Sequence, residues 1–412
     1  MKYIIIGAGM SGLSVARMLQ ERGNEALVFD EANRPGGMVK CERVQGSLFH
    51  RTGGHVFNTK RTDVLDWFWK HFDKEKEFTK AVRNAVIYIE DEKVVPYPIE
   101  NHAYLLDEAE LKSFINDLVK MSAAGEQHPT NFEEFLQGRF GETLYKLYFE
   151  PYNNKVWRRE LSKIPLSWLE GKLPMPTVEE MIYNNIKHVE EHAFVHSSFY
   201  YPVYGGSQFL ADRIAEGLQI VYNTRIEQVN SKNRQWIVNG ATADRIIFCG
   251  NIKQLPSLLS QTVALDGYVE SIKELESHGT TSVFCEIDDN PYSWIYQPSR
   301  RHESHRIICT GNFASSNNAP GKKTGTVEFT DYITKENIID NLTRMPGNPH
   351  YLTHHYEQYT YPIQHNTTRE VIASLRSKLE SKGFYLLGRF AEWEYCNMDV
   401  AMGRAIDLCK RL

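Results

Sequence analysis

Six residues near the N-terminus, Gly7-Ala8-Gly9-Met10-Ser11-Gly12, have the spacing that sets a dinucleotide pyrophosphate on a helix N-terminus. Gly7 permits the tight turn. Gly9 leaves out the Cβ that would meet the phosphates, and Gly12 lets the helix lie close to the strand before it. N–H groups of a first helical turn have no partner within the helix, so they are free to meet negative charge. Asp30 follows the glycines by roughly 20 residues, the separation at which a carboxylate accepts the hydroxyls of an adenosine ribose.

The elements that must hold these groups are legible around them. Tyr3 to Ile6 is a short apolar run of the kind that forms a buried parallel strand. Leu13, Val15, Ala16 and Leu19 give the next segment a helical apolar stripe, and Gly23 is a helix stop. Ala26-Leu27-Val28-Phe29 reads as the second strand, ending at Asp30. The 412 residues allow two or three domains, and 42% hydrophobic with 24% charged residues is ordinary for a globular protein. A net charge of -5 leaves no general basic surface for nucleic acid, and no apolar run approaches a membrane span. The cofactor turn begins almost at Met1, so no signal peptide is expected. Cys41, Cys249, Cys285, Cys309, Cys396 and Cys409 lack C-x-x-C spacing and read as reduced thiols of a cytoplasmic enzyme without a metal site.

A second glycine pair, Gly36-Gly37, resembles FAD proteins of the amine oxidase type. There the backbone passes close to the flavin's pyrophosphate and ribityl chain, which excludes side chains, whereas a nicotinamide dehydrogenase needs no glycines at this point. Near the C-terminus the strand Phe384-Tyr385-Leu386-Leu387 leads to Gly388-Arg389, then to Tyr395-Cys396-Asn397-Met398-Asp399 and a helix. Gly388 and Met398 bracket another place where N–H groups meet a phosphate or the flavin's carbonyl edge, and Arg389 is placed to neutralise pyrophosphate charge. Short strands between Gln219 and Gly250, one of them around Ile226, complete the nucleotide domain and set the Ile226 backbone near the adenine.

Six segments then occur in a telling order: Gly53-Gly54-His55-Val56-Phe57-Asn58-Thr59, Tyr97-Pro98-Ile99, Asn131 to Trp157, Tyr201-Pro202-Val203-Tyr204-Gly205-Gly206, Tyr361-Pro362-Ile363, and Gly388 to Asp399. Over essentially its whole length the chain resembles the UDP-galactopyranose mutase branch of the FAD-dependent amine oxidase and protoporphyrinogen oxidase superfamily. The resemblance implies that His55 lies against the flavin ring, that Trp157 lines a sugar-nucleotide pocket, and that Tyr395 contacts substrate near the flavin. It implies catalysis by His55, Tyr395 and Arg389 around a reduced flavin whose N5 attacks an anomeric carbon, so no protein nucleophile is needed. It also implies a small-molecule substrate of the nucleotide-sugar class and a homodimer, as bacterial mutases of this kind often form.

Departures from that branch matter for function. Its two diphosphate-binding arginines are replaced: Leu173-Pro174-Met175 is followed by Pro176, and Pro291-Tyr292-Ser293 by Trp294. Trp294 and Tyr296 in that place favour a less anionic substrate, and with it an oxidoreductase of the amine oxidase type, whereas the retained His55 segment and Trp157 favour the mutase branch; a third reading is a flavoprotein that has lost catalysis and serves as a binding partner. Arg158, Arg159, Arg300 and Arg301 are the candidate replacement cations. His188-Val189-Glu190-Glu191-His192, continued by His196, fits a zinc-protease spacing but reads as a solvated helix face. The expected architecture is α/β: a discontinuous Rossmann-type FAD domain (1–84, 200–255, 378–412), an inserted helical subdomain (100–199) and a mixed β-sheet substrate domain (85–99, 256–377).

Overall fold

The computed structural model describes residues 1–90, 93–125, 128–166, 176–189 and 198–412. Strand β1 (Lys2–Ile6) pairs in parallel with β2 (Glu25–Phe29) on one side and with Arg245–Phe248 on the other. Phe384–Leu386 and Gln219–Val221 extend this to a five-stranded parallel sheet. Its two faces feed two separate cores, Ile5 packing into one and Ile4 into the other, which explains the unbroken apolar runs in β1 and Arg245–Phe248. Helix α1 (Met10–Glu21) covers one face together with the C-terminal helix Met398–Arg411. Gly23, at φ 77°, takes the left-handed position that ends α1, its N–H donating to Gln20 O at 2.9 Å.

A seven-stranded mixed sheet stands apart from the first. Its order is His350–Pro362, Ser277–Glu286, Thr324–Thr330, Arg306–Ile308, Trp294–Tyr296, Ala85–Ile89, Lys93–Pro96. The helices Glu108–Ala123, Phe132–Leu144 and Glu150–Trp157 build a further apolar cluster around Phe132, Phe140 and Phe149. Fully burying one such ring is worth about 1.5–3 kcal/mol. No helix among the described residues is long and apolar enough to cross a membrane.

Three local readings are corrected. The residue pattern of Lys60–Lys80 predicts a single amphipathic helix. The helix covers only Thr62–His71, and Phe78–Val82 is a strand paired with Ser198–Pro202. Pairing wins because it delivers the Phe78 ring onto Phe68, Trp69 and Phe72, 5.1–5.6 Å between centroids. The apolar spacing of Asn131–Phe149 predicts one helix, but the chain breaks at Gly141 (φ 80°), where Asp117 Oδ2 accepts from Thr143 N and Oγ1 at 2.8 and 2.6 Å. Ile226 lies in irregular chain rather than a strand, because Asn223 and Thr224 give their N–H groups to Ala32 O and Asp30 O, each at 2.9 Å.

Candidate active site

Three glycine turns from distant parts of the chain meet at the ends of β1 and Phe384–Leu386. Gly7 has φ 110°, a conformation open mainly to glycine. A Cβ on Gly12 would stand 1.9 Å from Gly7 O, so α1 packs this way only with glycine there. Gly9 opens α1 with no side-chain cap and no acidic residue in the first turn, which leaves the first amides open as donors. Gly36 N–H donates to Ala8 O at 2.8 Å, and a Cβ on Gly37 would come within 3.1 Å of Gly9 Cα. Gly388 closes the third side, its missing Cβ lying 2.7 Å from Ser11 Oγ. A Cβ on Gly9 would meet only Gly37 Cα, at 3.9 Å, so the space ahead of it is open. Asp30 stands at the same place: Oδ2 accepts from Ala8 N at 2.5 Å and Oδ1 from Ala32 N at 2.8 Å. Uncapped amides, an absent Cβ and an adjoining carboxylate fit a dinucleotide diphosphate. Ile226 follows two residues after Thr224, whose amide is bonded to Asp30 O.

From the strand Ser47–His50 the chain turns through Gly53 (φ 65°) and Gly54 to His55. A Cβ on Gly54 would lie 2.8 Å from Ile308 Cγ2 and 3.1 Å from Trp294 Nε1. The bend therefore needs glycine to approach the second sheet. Gly53 N–H donates to Glu328 Oε1 at 2.9 Å, and His55 N–H donates to His50 Nδ1 at 3.1 Å. His55 Nε2 is buried with no hydrogen-bond partner among the described residues. Burial pushes the ring's pKa down to about 3, with His50 and Arg389 adding to it, so the imidazole is neutral. A buried ring nitrogen without a partner is costly unless a bound group engages it.

Beyond His55 lies a wall of arginines and tyrosines. Arg389 gives Nη1 to Thr360 O (2.9 Å) and Met38 Sδ (3.5 Å), and Nη2 to Cys396 O (2.6 Å). Its guanidinium sits 4.5 Å over the Tyr395 ring, and Tyr395 stacks on Tyr361 at 5.5 Å, with its hydroxyl donating to Asn397 Oδ1 at 3.0 Å. Burial, above all, pushes the Tyr395 phenol up to about 12. Arg306 donates Nη2 to Tyr361 OH at 3.2 Å and pairs through Nε with the fully buried Glu328. Burial favours the neutral acid at Glu328, but Arg306 and His305 outweigh it and hold the carboxyl down at about 2. Arg83 donates to Tyr296 OH at 3.0 Å and lies over Tyr97 (5.1 Å) and Trp294 (5.6 Å). Together Arg83, Arg306, Arg389 and Glu328 carry net positive charge beside the rings.

His55, Arg389, Tyr395, Trp294 and Tyr296 are thus brought to one region, while Met398 opens the C-terminal helix and packs in the apolar cluster of α1. Arg389 serves the His55 end of that region through its bonds to the chain around Met38, Thr360 and Cys396, rather than reaching the first turn of α1. Trp157 is buried at the end of its helix, in the apolar cluster that Tyr296 flanks, and its carbonyl accepts from His278 Nε2 at 2.7 Å. The four replacement arginines do not converge. Arg158, Arg159 and Arg300 pair with Glu303, Glu276 and Glu150 at 2.7–3.1 Å, and Arg301 donates to Glu90 O at 2.8 Å. Three of the four are partly offset by a carboxylate, in pairs that are individually weak. His188 caps its helix at φ 49° and stacks on Tyr104 at 3.9 Å, so the helix stops before the zinc-like spacing continues. The remainder of that motif, Glu190 to His196, and the Leu173-Pro174-Met175 segment lie outside the described residues. The sequence reading missed Arg83, Arg306, Glu328 and His50. Glu328 carried a signal: a carboxylate between Val327 and Phe329 must be paired if the strand is buried.

Open amides, a buried imidazole with one nitrogen unpartnered and a cationic aromatic wall, held between a Rossmann sheet and a second mixed sheet, define a dinucleotide-dependent enzyme. Residues 5–72 match the family described as NAD(P)-binding Rossmann-like domain. A dTDP-fucopyranose mutase of Escherichia coli is 31% identical over 180 residues, which span 42% of this chain and 46% of that enzyme. A UDP-galactopyranose mutase of Mycoplasma pneumoniae is 22% identical over 100% of this chain and 96% of its own length. The crystal structure of a reduced UDP-galactopyranose mutase superposes with a TM-score of 0.87 at 21% identity, covering 98% of this chain and 94% of that one. Over its whole length the chain is similar to a UDP-galactopyranose mutase, and it has the fold of that enzyme.

Proposed function

We propose that the protein binds FAD and isomerises a nucleotide-linked sugar between pyranose and furanose forms. The carrying observation is Arg306: a permanent, partly buried guanidinium bonded to Tyr361, beside Tyr395 and the unpartnered Nε2 of His55. A diphosphate in a ring-lined pocket calls for such a cation, and Arg306 with Arg83 supplies what Trp294 lacks. Full-length similarity to a UDP-galactopyranose mutase and a 31% identical match to a dTDP-fucopyranose mutase support the same substrate class. Reduced flavin, when bound, supplies a nucleophilic nitrogen for the anomeric carbon. The chain's own residues bind and orient. The first amides of α1, Gly36-Gly37 and Asp30 hold the dinucleotide. Neutral His55 packs at the ring, Trp157, Trp294 and Tyr296 shape the sugar-nucleotide side, and Tyr395, whose hydroxyl hydrogen goes to Asn397, offers its oxygen as an acceptor to the sugar with Arg389 beneath its ring.

The second reading is an FAD-dependent oxidoreductase on a less anionic substrate. One observation favours it: Glu328 already neutralises much of Arg306. Incubation of dithionite-reduced protein with UDP- and dTDP-hexoses, followed by chromatography of the pyranose and furanose forms, separates the two. Interconversion supports the isomerase. Bleaching of oxidised flavin by an amine or alcohol substrate, with no interconversion, establishes the oxidoreductase instead.

A further inference from the structure

The bend that carries His55 contains Gly53 and Gly54, so the backbone by itself leaves the ring's place loosely determined. Two tethers fix it. Glu328 takes the Gly53 N–H, and His50, fully buried on the strand before the bend, takes the His55 N–H at Nδ1 (3.1 Å).

A backbone amide is an obligate donor, so His50 Nδ1 must carry no proton. The proton of the neutral ring is therefore on Nε2, which donates to Tyr201 OH at 2.7 Å. Tyr201 is itself fully buried and receives a second bond from Asn317 Nδ2 at 3.0 Å. Ser207 Oγ, 3.4 Å from His50 Nδ1, spends its hydrogen on Val39 O at 2.7 Å and does not compete. Both ring nitrogens of His50 are thus consumed by the protein's own groups, and the ring lies behind His55, 6.0 Å between centroids.

We propose that His50 is a positioning residue: by accepting the His55 amide it sets where the His55 imidazole stands against the flavin. This rests on the reading of His55 as a flavin neighbour. An asparagine at position 50 places its carbonyl oxygen where Nδ1 was, and a glutamine places its amide where Nε2 was. The pair therefore separates the two ends of the ring.

The test is FAD titration of the full-length protein and its His50→Asn, His50→Gln and Tyr201→Phe variants, read by the visible absorption band of bound flavin and its midpoint potential. His50→Asn and Tyr201→Phe are expected to keep the wild-type band and potential. His50→Gln is expected to shift both and to weaken FAD binding about 5-fold, one ordinary net hydrogen bond, against less than about 2-fold for His50→Asn. Wild-type spectra in all three variants overturn the role of His50 while leaving the FAD reading intact. A shift in Tyr201→Phe that matches His50→Gln overturns it too, because the ring then acts through Nε2. Failure of the wild-type protein to bind FAD overturns the proposal together with the reading beneath it.

Discussion

Two glycines three residues apart should fail in different ways. At Gly12 a Cβ would lie 1.9 Å from Gly7 O, 3.1 Å from Gly7 C and 3.3 Å from Ile5 Cγ2. Backbone atoms of a buried strand end have nowhere to go, so Gly12→Ala must push α1 off the sheet and lose core packing. At Gly9 the backbone is extended (φ -76°, ψ 178°) and a Cβ meets nothing closer than 3.9 Å. Gly9→Ala should therefore fold, at a cost of about 1 kcal/mol for alanine at a helix N-cap. Its methyl points into the open space that the diphosphate needs. Displacing the phosphates from two amides forfeits about 1.5–3 kcal/mol for each charged hydrogen bond, together roughly 10²- to 10⁴-fold in Kd for FAD. Denaturant unfolding and flavin fluorescence titration, run on both variants, read the two effects. Gly9→Ala that binds FAD as the wild type does would refute the placement of the pyrophosphate at α1.

Further outcomes follow from the same contacts. Burial lowers the pKa of His50 from 6.5 to about 4, so the unfolded chain takes up the proton first as pH falls. Stability at this residue is present above the unfolded value and declines as pH falls from 6.5 toward 4. Between pH 7 and 5 the contribution lost is about 2 kcal/mol, and His50→Asn removes this share of the slope in urea titrations while the share from His55 remains. Arg306→Met leaves the buried Glu328 carboxylate uncompensated and should destabilise by about 3–5 kcal/mol. The double variant with Glu328→Gln should recover much of that stability in denaturant melts but not the affinity for UDP measured by calorimetry. Gly388→Ala, held at φ 105° with Ser11 Oγ 2.7 Å away, should cost about 1–3 kcal/mol in the same melts.

The Rossmann half was readable because its signals are local. A strand, a glycine turn, a stripe at helical spacing and an acid follow each other within thirty residues, and each needs its residue type for a backbone reason. The substrate side was less so. Arg306 sits among apolar strand residues, and its importance arises from Glu328 and Tyr361, which lie far along the chain and meet it only once the second sheet forms. Arg158 and Arg300 looked equally cationic in sequence, yet fold beside Glu303 and Glu150. His50 had no signal at all, since its role is set by a bond to an amide five residues on. The helix expected through Phe78 shows the same limit: the aromatic rings that select a strand there come from both sides of the pairing.

The most direct test is the absorption spectrum of the purified protein after addition of FAD and removal of excess. The account predicts a yellow protein with flavin bands near one FAD per chain, lost in Gly9→Ala. A colourless protein that retains no FAD at any concentration offered would contradict it.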